Sequence, residues 1–90
     1  MLLRWTPEAA ANLEEIYSYL VEHYPQFADL TITQLYEGIK SLAQFPSRGR
    51  PGSEAGVREL VFVRLPYFVA YRVKEETIEI LHVRHTARQR

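Results

Sequence analysis

RELVFVRLPYFVAYRVKEETIEILHVRH, residues 58–85, decides the fold of this chain. Val57 to Arg64 alternates, with Leu60 and Phe62 on one side and Val61 and Val63 on the other. Leu65-Pro66 breaks the run. Tyr67 to Val73 alternates again, with Tyr67, Val69, Tyr71 and Val73 opposed to Phe68, Ala70 and Arg72. Lys74-Glu75-Glu76 is a short polar turn. Thr77 to His85 forms a third run, in which Ile78, Ile80, His82 and Arg84 oppose Glu79, Leu81, Val83 and His85. A period of two with β-branched and aromatic residues marks strands, and connections this short make an antiparallel meander.

The sequence upstream of the meander is helical. Thr6-Pro7-Glu8 is a helix start: threonine caps free N–H groups, proline fits the first turn, and glutamate meets the positive end of the dipole. Ala10, Leu13, Ile16, Tyr17 and Leu20 then recur at helical spacing, and Pro25 ends the pattern near His23-Tyr24. Ala28, Ile32, Leu35, Ile39 and Leu42 step by four and three, a second apolar stripe. A short gap makes the two helices an antiparallel hairpin. Leu2–Trp5 reads as a strand. Phe45–Gly56, with Pro46, Gly49, Pro51, Gly52 and Gly56, reads as a loop carrying Arg48 and Arg50. The expected fold is therefore α+β, one domain over residues 1–90: a helical hairpin packed on one face of a small antiparallel sheet, order β-α-α-β-β-β. Trp5 and Tyr17 are expected in its core.

Composition narrows the function classes. With no cysteine there is no disulfide framework and no thiol chemistry. His23, His82 and His85 have no metal-ligand spacing, so no metal and no cofactor are expected. The loop lacks the GK[ST] ending of a phosphate-cradling loop. No apolar run is long enough to span a bilayer, and the N-terminus is not a signal peptide, so a complete cytoplasmic protein is expected. The formal net charge of zero is uneven: residues 1–47 sum to −4 and residues 48–90 to +4. Either the halves pair with each other or one face is basic. Direct nucleic-acid binding is not expected, because the net charge is zero and no helix is rich in Lys or Arg.

The ordered set Arg58, Leu60, Tyr67, Val69, Tyr71, Arg72, Val73, Ile80, Leu81, Val83 and His85, after a TPEA helix start and a hairpin, resembles the RelE/ParE superfamily of type II toxins, and the ParE branch most. The resemblance covers essentially the whole chain. It implies a small toxin neutralised by a cognate, ParD-like antitoxin whose flexible segment wraps around it. ParE-like members block DNA gyrase. RelE-like members cut mRNA on the ribosome.

Cleavage of RNA requires a base, an acid and cations around the phosphorane. Relatives on the RelE side place an arginine within a Y-R-L-V-Y strand, where this chain has Phe68. One places a His-Tyr pair after its last strand, where this chain has Thr86 and Ala87. The resemblance thus favours gyrase inhibition by binding over catalysis. His82, Arg84 and His85 remain the candidates for the nuclease alternative. A degenerate relative that only binds its partner is the third reading.

Strand parity puts His82 and His85 on opposite faces unless a bulge intervenes. Arginines at strand positions, Arg58, Arg64, Arg72 and Arg84, are expected on the sheet face that the helices leave open. That face is expected to receive the antitoxin, with acidic residues on Arg58, Arg72 and Arg84. Candidate contacts to antitoxin or target are Arg58, Phe68, Arg72, Arg84, His85 and Arg88.

Overall fold

The computed structural model describes residues 1–88, with Arg88 as backbone only. In chain order the elements are β1 (Leu2–Trp5), α1 (Pro7–His23), α2 (Pro25–Lys40), a 3-10 turn (Ser41–Ala43), β2 (Arg50–Pro51), β3 (Arg58–Val61), β4 (Tyr67–Lys74), β5 (Thr77–His85) and a 3-10 turn (Thr86–Arg88). The two helices pack on a five-stranded sheet ordered β1-β5-β4-β3-β2. The expected meander is present as β3-β4-β5. Two features extend it. The sheet is mixed, because β1 joins β5 in parallel, and the Pro/Gly loop contributes the two-residue β2.

Both helices begin on proline, which fills a first-turn position whose N–H would have no partner. Tyr24 alone separates them and serves as C-cap of α1 and N-cap of α2. The second apolar stripe is buried as expected at Ala28, Leu35, Ile39 and Leu42. The inner face of the sheet meets it with Leu60, Val69, Tyr71, Ile78, Ile80 and Val83. Trp5 is half-buried and stacks on Tyr36. Tyr17 departs from expectation: it is exposed, and its hydroxyl donates to Asp29 Oδ1 across the hairpin at 2.8 Å.

Tyr71 ties the loop to the core. Its buried hydroxyl accepts the Gly49 N–H at 2.8 Å and donates to the Pro46 carbonyl at 2.7 Å. Gly49 is required there, because a Cβ would lie 2.7 Å from that hydroxyl and 2.8 Å from the Glu59 carbonyl oxygen.

The main correction to the sequence reading concerns β5. A register shift opposite Ala70/Tyr71 pairs Ala70 with His82 but Tyr71 with Ile80, leaving Leu81 as the extra residue of a bulge. Alternation is broken there. Ile78 and Ile80 therefore share the inner face with Val83 and His85, while Glu79, His82 and Arg84 face outward. The expected strand from Val57 to Arg64 also ends early, at Val61, so Arg64 lies in the bend before β4 rather than on the sheet.

Candidate functional site

The helix hairpin is fastened to β5 by two side chains near the bulge. Thr6 Oγ1 accepts the Ala9 N–H at 3.1 Å as the α1 cap and donates to the Ile80 carbonyl at 2.8 Å, with the Leu81 carbonyl 3.1 Å away. Asn12 Oδ1 accepts the Val83 N–H at 2.9 Å. Sequence reasoning found Thr6 as a cap but missed Asn12. The signal was available: Asn12 lies three residues after Ala9 and four before Ile16, on the helix face that packs inward.

Beside these fasteners, between the hairpin and the sheet, lies a groove of about 730 Å³. Ile16, Leu20, Tyr24 and Phe27 form its helical wall, and Tyr67 and Val83 its sheet side. Glu15 lines it from α1, and Arg84 and His85 line it from β5. Tyr19, Tyr24 and Phe27 are each about half exposed at the hairpin end of the groove. Half-exposed aromatic rings beside an apolar channel are typical anchors for a protein partner.

The two strand histidines do not meet. His85 stands edge-on to Tyr67, ring centroids 5.4 Å apart, and its Nδ1 accepts the Ala87 N–H at 3.1 Å. His82 stands edge-on to Phe68 at 6.1 Å on the opposite face. Burial holds the His82 pKa below the ordinary histidine value; Arg84 pushes the same way, and Glu8, Glu59 and Glu54 oppose it. The bulge does not reunite the pair, because it precedes both residues. His23 lies apart on the hairpin, 4.4 Å from the Tyr19 ring. Among the described residues no three His, Cys, Asp or Glu side chains gather where a metal could sit.

The expected row of open arginines is not what the outer face presents. Arg58 pairs with Tyr71 and so takes the inner side. Its guanidinium donates to the Gly49 carbonyl at 2.6 and 3.0 Å and to the Ser47 carbonyl at 3.1 Å, holding the loop. Arg72 and Arg84 do face outward, but Arg72 grips Glu79 through Nε and Nη2, and Arg84 reaches Glu8 at 3.2 Å. Phe68 and Ala70 also face outward, yet they are only 2% and 1% exposed, and the His82 ring stands edge-on to Phe68; there is no bare hollow at that point. The side chain of Arg88 lies outside the described residues. No helix among the described residues is long and apolar enough to cross a membrane.

The family model of the ParE toxin of type II toxin-antitoxin systems matches residues 3–90. The chain is 36% identical over 87 residues to Y4kP of Sinorhizobium fredii (strain NBRC 101917 / NGR234), covering 97% of this chain and 90% of that one. It is 38% identical over 84 residues to Toxin RelE2 of Caulobacter vibrioides, covering 93% of each. A solved structure of the chromosomal ParDE toxin-antitoxin system from P. aeruginosa superimposes with a TM-score of 0.87 at 36% identity, covering 94% of this chain and 95% of that one. With a hairpin on a mixed five-stranded sheet and a match along nearly its whole length, this chain belongs to the ParE toxin family of type II toxin–antitoxin systems, within the RelE/ParE superfamily.

Proposed function

We propose that this toxin stops DNA gyrase by binding to it, without making or breaking a covalent bond, and that a ParD-like antitoxin neutralises it. The observation that carries this reading is the separation of the two strand histidines. Each packs edge-on against an aromatic ring, and the two rings lie on opposite sides of the sheet. An acid and a base must both reach one phosphate, so this arrangement favours binding over cleavage. The similarity to a ParDE toxin at a TM-score of 0.87 supports the same branch.

The groove is the best-formed place for an antitoxin segment. An apolar channel with aromatic anchors suits an amphipathic helix that folds as it docks. Glu15, on its helical wall, would pair with a basic residue of the segment and so fix its direction. Docking there should slow amide exchange in residues 16–27 and 83–85.

Two parallel reactions test the proposal. One holds gyrase with relaxed plasmid, and the other holds ribosomes programmed with a defined mRNA. Lost supercoiling or trapped cleaved plasmid, with intact mRNA, is the expected result. Cut mRNA with unaffected gyrase would establish the alternative suggested by the similarity to Toxin RelE2. His82, Arg84 and His85 would then be the residues to substitute. No effect in either tube would leave a binding-only relative.

A further inference from the structure

The zero net charge conceals a layered charge. The helical hairpin, residues 7–40, carries six carboxylates and one lysine, a formal −5, so the rest of the chain carries +5. On the outer sheet face, strand register places three residues side by side: Arg72 on β4, Glu79 on β5 and Arg4 on β1. Two strand spacings separate the arginines, about 10 Å between backbones. Both guanidiniums converge on the one carboxylate: Arg4 Nη2 on Oε2 at 2.5 Å, Arg72 Nε and Nη2 on Oε1 at 3.0 and 2.8 Å. The Glu79 side chain is 8% exposed, while those of Arg4 and Arg72 are 62% and 46% exposed. The carboxylate thus lies beneath and the cations above. Lys74, paired with Thr77 in the next row, adds a third cation whose charge also acts on Glu79.

We propose that Arg4, Arg72 and Lys74 form a preorganised clamp for the phosphate backbone of duplex DNA, on the sheet face opposite the groove. The inference rests on the gyrase reading in one respect: a toxin bound to gyrase would lie near the DNA that the enzyme holds, which gives this face its expected ligand. Clamping two guanidiniums on one buried carboxylate removes most of the entropy otherwise lost in ordering them. It also leaves an excess of positive charge, with Arg72 Nη1 and the Nε and Nη1 of Arg4 uncommitted to Glu79.

The test needs no gyrase. Fluorescence anisotropy of a labelled duplex is followed with the free toxin across a salt series, with labelled poly-glutamate as a second probe. Three phosphate contacts predict a slope of about −2.7 in log K against log salt, roughly a 40-fold loss of affinity between about 50 and 200 mM. Arg4→Gln and Lys74→Ala should each reduce the slope by about 0.9. Arg64→Ala, in the bend outside the patch, should leave it unchanged. Arg72 is left intact, because its loss would uncover Glu79. Urea midpoints near that of the parent chain show that the variants fold. Flat anisotropy at low salt, an unchanged slope in both variants, or tighter binding of poly-glutamate than of DNA would overturn the proposal, the last in favour of an acidic protein segment. DNA binding without loss of supercoiling would leave this inference standing and sink the gyrase reading alone.

Discussion

Replacing Tyr71 by phenylalanine removes one oxygen atom and two hydrogen bonds. The hydroxyl accepts from Gly49 N–H and donates to the Pro46 carbonyl, inside a ring of atoms too close for any Cβ at position 49. Gly49 is buried, so its N–H would find no water; Pro46 is half-buried, so its carbonyl could be solvated. An orphaned buried donor costs about 1–3 kcal/mol, and a partly solvated acceptor adds less, so the expected loss is about 2–3 kcal/mol. With an m-value of about 1 kcal/mol/M for a small domain, the urea midpoint should fall by about 2–3 M. Tyr36→Phe, at an exposed ring, is the control and should shift it little. Arg58 holds the same residue, Gly49, by its carbonyl, so Tyr71→Phe and Arg58→Gln should be non-additive by at least about 0.5 kcal/mol. A loss below about 1 kcal/mol for Tyr71→Phe, or strict additivity with Arg58→Gln, would refute the idea that this hydroxyl holds the loop.

Four further outcomes are expected of the same fold. Glu75 opens the β4–β5 turn at φ 58°, a conformation that disfavours side chains, so Glu75→Gly should stabilise the toxin by about 0.5–1 kcal/mol in urea titration. Thr6→Ala removes both the α1 cap and the bond to the bulge, and should cost about 2 kcal/mol in the same titration. His82 has its pKa lowered in the fold, chiefly by burial, so the unfolded chain binds its proton first. Stability from this group is complete above the unfolded histidine pKa and declines as pH falls toward the folded value; His82→Gln should flatten that part of the pH–stability curve. Glu79 adds a lower, acid limb: held down mainly by Arg72, it stabilises above the usual carboxylate range and loses that contribution as pH falls through its depressed pKa.

Much of this fold is written in local pattern. The stripe from Ala28 to Leu42 is buried as its spacing predicts, and the alternation of β4 put Tyr71 inward. The two-residue turn even sets the register that brings Arg72 opposite Glu79. Two things left no local mark. The bulge at Leu81 reverses which residues of β5 face outward, and an unbroken run of strand-forming residues does not reveal it. The pairing of β1 with β5 joins residues 75 apart, so Arg4 could not be placed beside Glu79 from sequence. Arg58 was misplaced for a different reason. It shares parity with Leu60 and follows it inward, but its partners are carbonyls of the loop, which only the tertiary structure supplies.

The parallel pairing of Leu2–Trp5 with Thr77–Ile80 bears on how the toxin comes into being. β1 borders a strand 75 residues later in the chain, so it has no such neighbour until β5 has been made. Loop closure across most of the chain must precede the reward of that pairing, which makes folding slow relative to a helical protein of this size. Arg4 meets Glu79, and Thr6 meets the bulge, only at that last step. Pairing of β1 with β5 is therefore one event that closes the sheet edge, the Arg4–Glu79 bridge and the fastening of α1 together.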